Sequence, residues 1–395
     1  MSLPQITQSP TDPEFVQNPY PFYDRARALG PLVHWAEYDM PATTTHAATS
    51  AILRDRRFGR EVPPELAPAI PDHLADFYAV EAHSMLELEP PRHTRLRGLV
   101  LRAFTSRRIG ELAPEIAALC NMLIDQMPRG EINLLQSYCT PIPVIVIARL
   151  LGVPESMAPD LLRWSNAMVS MYQARRTARI EADANKAARD FTDFMRGYIK
   201  ERRNQPADDL ITQLIAAEQD GEKLSTDELI TTCILLLNAG HEATVHTMGN
   251  GINTLLEHGL TSANLTSDSI TATVEEVLRF DPPLHMFTRY SYETVELFGH
   301  RFERGDQVAC LLAAAGRDPK AYDNPDEFDP ARKGPANVAF GAGIHFCVGA
   351  PLARLELQIG LKTLFTRLPN LRLAEQPQYA DLYHFHGLSA LNVFY

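Results

Sequence analysis

The sequence predicts a mainly α-helical protein with a minor β-sheet region. Across residues 109–202, apolar side chains recur at spacings of three and four, as they do along one face of an α-helix. A second helical pattern runs through residues 224–258 with few breaks. Only short, separated stretches show the alternation of apolar and polar residues that is typical of strands. Helices therefore form the body of the predicted fold.

The first helical stretch divides into several helices of ordinary length. Proline and glycine interrupt its periodicity at residues 128–130 and 152–154, and the turn Asn204-Gln205-Pro206 ends it. The sequence contains no internal repeat, low-complexity tract or Gly/Ser-rich linker between these elements. Although 395 residues exceed the usual size of one domain, roughly 100–200 residues, we predict a single domain over residues 1–395.

The pattern over residues 224–258 predicts one long central helix. Ser225 and Glu228 form a capping box at its start. At 1.5 Å per residue the helix would span roughly 45–50 Å, enough to cross a protein of this size. Its segment from Cys233 to Leu237 is apolar nearly all round, as is typical of a helix buried on every side.

The minor sheet region is predicted from four short segments separated by turns such as Glu303-Arg304-Gly305-Asp306. The predicted strands lie near residues 32–35, 294–298, 307–312 and 388–394.

Composition and charge exclude several functional classes. A hydrophobic content of 45% and a charged content of 22% are ordinary for a globular protein. The net charge of -12 opposes nucleic-acid binding. Neither a signal peptide nor an apolar run of the roughly 18 residues that a membrane span requires is present. We therefore expect a soluble, cytoplasmic monomer with no membrane or nucleic-acid partner.

The five cysteines do not form a disulfide framework or a zinc ribbon. Their number is odd and their spacing unpaired, so at least four are expected to be buried structural thiols. The exception is Cys347, in the segment FGAGIHFCVG at residues 340–349. An amphipathic helix with Pro351 in its first turn follows, which places Cys347 at a helix N-terminus. The helix dipole and unpaired N–H groups there favour a thiolate, which is a soft ligand for iron.

This decapeptide resembles the cysteine loop of the cytochrome P450 family, in which Phe, two Gly, a basic residue, Cys and a final Gly recur at these spacings. The resemblance implies the cytochrome P450 fold, with Cys347 as the axial thiolate ligand of the iron of haem b. Phe340 and Gly349 would belong to the same cofactor-binding loop. Taken alone, a lone cysteine is more often a buried structural thiol.

Two further segments extend the resemblance. Glu276-Val277-Leu278-Arg279 is similar to the family's Glu-x-x-Arg, whose members i and i+3 share one helix face. The segment at residues 328–332 resembles the meander that supplies a second arginine, here Arg332. The resemblance implies a buried structural triad of Glu276, Arg279 and Arg332, whereas an isolated Glu276–Arg279 pair would be a weak surface interaction.

The segment Ala239-Gly240-His241-Glu242-Ala243-Thr244, midway along the long helix, resembles the family's oxygen-binding groove. Gly240 would leave room for dioxygen and allow the helix to open locally, and Glu242 would supply protons. Most relatives place Thr or Ser directly after the acid, but this chain has Ala243. Thr244 lies about 100° further round the helix, so we expect it to pack or to bond to helix carbonyls, with a substrate hydroxyl or a water completing the proton path.

Two competing motifs fail on spacing. A zinc-protease helix needs His-Glu-x-x-His, but the second His position is Val245, and His246 is one residue too far. A dinucleotide-binding loop starting at Gly341 would need a third glycine where Phe346 stands. Nor does the sequence contain a P-loop.

Haem carries two propionates, which cations from several elements would hold. His93 and Arg97 stand at i and i+4, so they share one helix face. In the family the matching positions contact the propionates. Arg289 and His345 resemble the other two contacts.

The resemblance implies insertion of one oxygen atom from O2 into a lipophilic small molecule, with ferredoxin and ferredoxin reductase as separate electron donors. Two alternatives remain open, namely a haem-binding sensor or carrier without turnover and a peroxide-driven haem-thiolate enzyme. The predicted substrate-lining residues are Leu236, Ala239, Leu284, Met286 and Leu388. The predicted cationic docking residues are Arg102, Arg107, Arg108 and Arg354.

Overall fold

A computed structural model of the chain describes residues 2–172, 176–219 and 221–395. The chain divides into two compact units. Unit 1 comprises the residues up to Leu66 together with Glu115–Cys139 and Ala243–Tyr395, and unit 2 comprises Ala67–Pro114 and Thr140–Glu242. The prediction of a single domain over residues 1–395 stays a prediction.

Helices dominate both units. The predicted breaks at residues 128–130 and 152–154 follow the ends of α7 at Asp125 and of α8 at Leu151. The third predicted break begins at Asn204, the last residue of α10. Residues 173–175 of the predicted helical stretch lie outside the described residues. The helices are α1 (Pro13–Gln17), α2 (Tyr20–Leu29), α3 (His46–Arg54), α4 (Ala75–Glu81), α5 (Arg92–Ala103), α6 (Ser106–Glu111), α7 (Ala113–Asp125), α8 (Pro141–Leu151), α9 (Ala158–Val169), α10 (Ala178–Asn204), α11 (Leu210–Ala216), α12 (Thr226–Glu257), α13 (Ile270–Phe280), α14 (Leu312–Gly316) and α15 (Ala350–Arg367).

The strands are short, as predicted. They are β1 (Gln5–Ile6), β2 (Leu32–Trp35), β3 (Met40–Thr43), β4 (Phe58–Gly59), β5 (Glu131–Asn133), β6 (Glu218–Gln219), β7 (Glu222–Lys223), β8 (Met286–Ser291), β9 (Val295–Leu297), β10 (His300–Phe302), β11 (Gln307–Leu311), β12 (Arg372–Leu373) and β13 (Asn392–Phe394). The prediction of a strand over residues 388–394 is wrong in its first half, because Leu388 forms only an isolated bridge with Tyr379.

A six-stranded sheet in unit 1 has the order β1-β2-β3-β11-β8-β4. Strand β11 pairs in parallel with β3 and antiparallel with β8. Side chains alternate along β11: Ala309 and Leu311 pack into one apolar cluster, whereas Val308 and Cys310 pack into another. This two-residue period covers both faces of the sheet and holds β8, which carries Arg289, in a fixed register.

Helix α12 confirms the predicted long helix, with 32 residues. Its capping box is formed as predicted, since the Ser225 N–H donates to Glu228 at 2.9 Å and the Glu228 N–H donates to the Ser225 hydroxyl at 3.2 Å. None of the described helices is long and apolar enough to cross a membrane.

Glu276, Arg279 and Arg332 come together in unit 1. The Arg279 guanidinium donates to both carboxylate oxygens of Glu276 at 2.7 Å, and Arg332 Nε donates to Oε1 at 3.1 Å. The carboxylate also accepts the Asp329 N–H at 2.9 Å. Glu276 and Arg279 are 5% and 3% exposed. Arg279 in addition donates to the carbonyls of Gly316 and Pro325. The Glu276–Arg279 ion pair of α13 is therefore bonded to the end of α14 and to the segment that contains Pro325.

We predict that Glu276→Ala lowers the free energy of unfolding by roughly 3–5 kcal/mol, because it leaves two guanidinium groups without their buried carboxylate. The control is Glu275→Ala, which removes the adjacent acid of the same helix. Glu275 is 37% exposed and pairs with Arg354, so its loss should cost about 1 kcal/mol or less. Urea unfolding midpoints measure both. Equal losses would contradict the structural role of Glu276.

Candidate functional site

The loop that carries Cys347 is held closed by its own backbone. The Cys347 N–H donates to the carbonyl of Phe340 at 3.0 Å, and a single 3-10 turn, Gly343–His345, lies between them. Gly341 and Gly343 have φ angles of 71° and 70°, a left-handed conformation that other residues adopt at a cost.

Glycine is also required by the space around this loop. A Cβ on Gly343 would lie 2.4 Å from the Leu53 carbonyl oxygen, and one on Gly341 would lie 3.2 Å from the Phe287 ring. The loop therefore packs tightly against the end of α3 and against β8. These contacts fix the position from which the chain enters α15.

Cys347 differs from the other four cysteines. Its side chain is half-buried, whereas Cys120, Cys139, Cys233 and Cys310 are buried. Burial raises the pKa of Cys120 to about 11 and that of Cys310 to about 12, so these thiols stay protonated. The Cys347 thiol lies three residues before α15, and a Cβ on the capping Gly349 would come 3.8 Å from its sulfur. The chain thus presents one accessible thiol at a helix N-terminus.

Arg354 is fixed beside this loop. Its guanidinium lies 4.7 Å from the centre of the Phe340 ring, and its Nη2 donates to Glu275 at 3.0 Å. Of the other predicted docking arginines, Arg107 pairs with Glu111 and Arg108 with Asp208. Much of the predicted cationic surface is therefore already neutralised by neighbouring carboxylates.

Arg289 is a buried cation of unit 1. It is 2% exposed on β8, its Nη1 donates to the Thr288 carbonyl at 2.8 Å, and its guanidinium lies 5.7 Å from the centre of the Phe287 ring. His345, half-buried, precedes Cys347 by two residues. Arg289 therefore places a buried positive charge on β8.

In unit 2, His93 and Arg97 occupy one face of α5. His93 is 2% exposed and Arg97 is half-buried, one helical turn later. The imidazole and the guanidinium therefore lie on the same face of the helix, as their spacing predicts.

The middle of α12 shows an accessible face. Leu236 and Ala243 are half-buried and Ala239 is exposed. Their spacings of three and four put them on one side of the helix. A Cβ on Gly240 would lie 2.3 Å from Ile147, so this glycine allows α8 to approach. The described backbone is a continuous helix here.

Polar side chains in this turn have different environments. Glu242 is half-buried and Thr244 is 5% exposed. His241 is buried and contacts the Leu237 carbonyl at 2.9 Å and Asn166 at 3.1 Å, which ties α12 to α9. Sequence analysis missed Thr247, whose hydroxyl donates to the Ala243 carbonyl at 2.7 Å. A threonine four residues after the alanine was the available signal.

The predicted substrate-lining residues of unit 1 separate into two groups. Met286 is 5% exposed and packs in an aromatic core cluster with Tyr23, Trp35 and Tyr383. Leu284 is half-buried and bridges Phe385, while Leu388 is 3% exposed and bridges Tyr379.

Sequence analysis also missed Glu356, a buried acid on α15. It is 1% exposed, and its Oε1 has no hydrogen-bond partner among the described residues. Burial raises its pKa to about 8. The signal was present, because Leu352, Glu356 and Gly360 follow one another at four-residue spacing along the buried face of the helix.

Comparison with known proteins identifies close likenesses. The family model described as "Cytochrome P450" matches residues 149–268 and 269–382. The biotin biosynthesis cytochrome P450 of Bacillus subtilis (strain 168) is 34% identical over 394 residues, 98% of this chain and 99% of that protein. The cytochrome P450 monooxygenase PikC of Streptomyces venezuelae is 37% identical, with 92% of this chain and 87% of PikC covered.

Solved structures are also similar to this chain in fold. P450BioI in complex with hexadec-9Z-enoic acid ligated acyl carrier protein superposes with a TM-score of 0.90 at 35% identity, covering 97% of this chain and 99% of that chain. The Bacillus subtilis 168 bacillaene polyketide synthase cytochrome P450 PksS gives a TM-score of 0.88 at 34% identity, covering 98% and 99%.

The raised pKa of Glu356 predicts a pH dependence of stability. An unfolded glutamate titrates near about 4.3, so between that value and about 8 the native state holds a proton that the unfolded chain has lost. The free energy of unfolding therefore falls as pH rises through this window and levels above it. Glu356→Gln removes the titration, and the fall should become shallower.

Urea unfolding midpoints between about pH 5 and 8 measure this slope. The control is Glu375→Gln, at an exposed position, which should keep the wild-type slope. An unchanged slope in Glu356→Gln would contradict the buried, protonated carboxyl.

Proposed function

The chain belongs to the cytochrome P450 family, and from that premise we propose that it is a haem-thiolate monooxygenase whose axial ligand is Cys347. It inserts one oxygen atom from O2 into a lipophilic small molecule, using electrons from ferredoxin and ferredoxin reductase. The observation that supports this most is the half-buried Cys347 thiol at the start of α15, in a loop that two left-handed glycines close.

Members of this family bind haem, and the residues of unit 1 fit that group. A soft thiolate suits iron. At Gly349 a Cβ would lie 3.8 Å from the Cys347 sulfur, so this glycine leaves the space beside the sulfur without a side chain. Arg289, a buried cation, is suited to a propionate. His345, and His93 and Arg97 of unit 2, are proposed as further propionate contacts.

Haem, when bound, supplies the reductive activation of dioxygen. The protein's part on the sulfur side is to keep Cys347 deprotonated and in place. Its helix N-terminus stabilises the negative sulfur, and the hydrogen bond from the Cys347 N–H to Phe340 fixes the backbone. Phe340 and Gly349 shape the loop around it.

Glu242 is proposed to hold and deliver protons, and Gly240 is proposed as part of the oxygen-binding groove that the family resemblance implies. Ala243 offers no hydroxyl, and its carbonyl already accepts the Thr247 hydroxyl. Thr244 is buried, which supports a packing role for it. A substrate hydroxyl or an ordered water therefore completes the proton path next to Ala243.

The substrate class is lipophilic. The proposed lining residues Leu236, Ala239, Leu284, Met286 and Leu388 are apolar. A relative that is 37% identical is named vitamin D(3) 25-hydroxylase, and a solved neighbour carries hexadec-9Z-enoic acid on acyl carrier protein. Apolar ligands of different shapes thus suit this scaffold.

The first test of the function is isotopic. The holoprotein, supplied with NADPH, a surrogate ferredoxin and its reductase, is incubated with lipophilic candidates under 18O2, and products are analysed by mass spectrometry. We predict incorporation of one labelled oxygen atom into product. A haem sensor or carrier would give no product with any candidate that it binds. Label arriving only from 18O-labelled hydrogen peroxide would instead indicate the peroxide-driven enzyme.

The second test concerns Ala243. In Ala243→Thr, a hydroxyl follows the acid directly, so with a substrate lacking hydroxyl groups the share of NADPH that ends in product should rise by about tenfold, equivalent to ~1.4 kcal/mol. The control is Thr244→Val, which should leave this share unchanged because Thr244 packs. No gain in Ala243→Thr would show that the proton path does not depend on this position.

A further inference from the structure

A second cluster of polar side chains lies buried in unit 1, where α13 ends. One ligand atom each from Asp281, His285 and His386 lie within 4.8 Å of one another. The three residues are 4%, 0% and 1% exposed. We propose that this cluster binds a divalent transition-metal ion of the zinc class. This site does not depend on the proposed monooxygenase function.

The backbone brings the three residues together. Asp281 caps the end of α13, where Pro282 and Pro283 prevent further helix. The following segment then runs antiparallel to residues 384–386: the His386 N–H donates to the Pro283 carbonyl at 2.8 Å, and Leu284 bridges Phe385. The His285 and His386 rings consequently lie side by side, with centres 4.4 Å apart.

The hydrogen bonds of His285 leave one ring nitrogen for a metal. Its Nδ1 lies 2.8 Å from the Tyr23 hydroxyl, which donates its own proton to Tyr383 at 3.0 Å. In the tautomer with the proton on Nδ1, the Tyr23 hydroxyl accepts from Nδ1 and Nε2 presents its lone pair to an ion. Among the described residues, Nε2 has no hydrogen-bond partner.

His386 offers a second nitrogen donor. Its Nε2 lies 3.6 Å from Asp281 Oδ1, and its Nδ1 has no hydrogen-bond partner in the described part of the chain. Ligands of a tetrahedral zinc ion, each bound at roughly 2.0–2.1 Å, stand about 3.3 Å apart. The Nε2–Oδ1 separation is already close to that value. Tyr379 stacks on the imidazole at 3.8 Å and fixes its plane.

Asp281 is oriented by hydrogen bonds of the kind that surround metal ligands. Tyr20 donates to Oδ1 at 3.1 Å and Tyr379 donates to Oδ2 at 2.7 Å. A carboxylate accepts about four such bonds, so lone pairs remain for an ion. Together with the Tyr23 contact to His285, two of the three ligands are held by tyrosine hydroxyls, as second-shell groups hold ligands in metalloproteins.

Charge balance constrains the ion. Asp281 is the one carboxylate among the three ligands. Arg317 lies near this cluster, because its guanidinium is 4.2 Å from the centre of the ring of Tyr20, whose hydroxyl donates to Asp281. Arg317 is itself paired with Asp326 at 3.1 Å. A fourth ligand of negative character, such as a hydroxide, would neutralise the remaining positive charge. Two further imidazoles, His246 and His384, lie near these ligands.

Such an ion would have a structural role. It would join the segment after α13, which contains Leu284, to the C-terminal segment that contains Leu388. Both leucines are proposed to line the substrate site, so the ion would fix the separation of these two segments. The competing interpretation is a metal-free hydrogen-bonded core of histidines and tyrosines.

Zinc binding distinguishes the two interpretations. Haem-loaded protein, in which Cys347 is occupied, is stripped with EDTA, exposed to zinc sulfate, desalted and analysed for zinc and iron by mass spectrometry. We expect about one zinc ion per chain. His285→Gln and His386→Gln should lose it, whereas His384→Gln, two residues from His386 and outside the three ligands, should retain it.

The proposal is overturned if wild-type protein retains no stoichiometric zinc, or if His384→Gln loses as much as His386→Gln. Should either ligand variant fail to fold, crystals of the wild-type protein soaked in zinc give a second measurement at the zinc absorption edge. An anomalous peak about 2.0–2.2 Å from Asp281, His285 and His386 supports the site. A peak only elsewhere, or none, contradicts it.

Discussion

The order of unit 1 depends most on the hydrogen bonds that the buried carboxylate of Glu276 accepts. It accepts hydrogen bonds from Arg279, Arg332 and the Asp329 backbone, so it joins α13 to the chain that leads toward the cysteine loop. Arg279 extends the connection to Gly316, where a Cβ would lie 2.5 Å from the Arg279 carbonyl. Because a buried ion pair is stable only when its remaining donors are also satisfied, the carbonyls around Arg279 are part of the same arrangement.

The cysteine loop shows how local sequence positions chemistry. Gly341 and Gly343 meet two requirements at once, a left-handed backbone and the absence of a side chain against Leu53 and Phe287. The loop can therefore bring Cys347 to the start of α15 in one conformation. Arg354 and Glu275 then link this helix back to α13. The thiol and the Glu276 cluster are thus parts of one continuous set of contacts.

Sequence predicted what depends on local pattern and motif spacing. The long helix and its Ser225–Glu228 capping box follow from periodicity and from two side chains three residues apart. The sequence did not reveal the Asp281, His285 and His386 cluster, because His386 is distant in the chain and only tertiary pairing places it there. The packing of Met286 could not be predicted for a related reason. Alternation within β8 shows two faces, but only the packed structure tells which face meets the aromatic core.

The account rests on thiolate ligation by Cys347, and the absorption spectrum of the reduced protein under carbon monoxide tests it most directly. A thiolate opposite carbon monoxide donates strongly to the iron, and we predict a strongly red-shifted Soret band in the haem-loaded wild-type protein. A folded, haem-loaded protein whose carbon monoxide adduct keeps its Soret band at the shorter wavelength of histidine-ligated haem would contradict the assignment of Cys347.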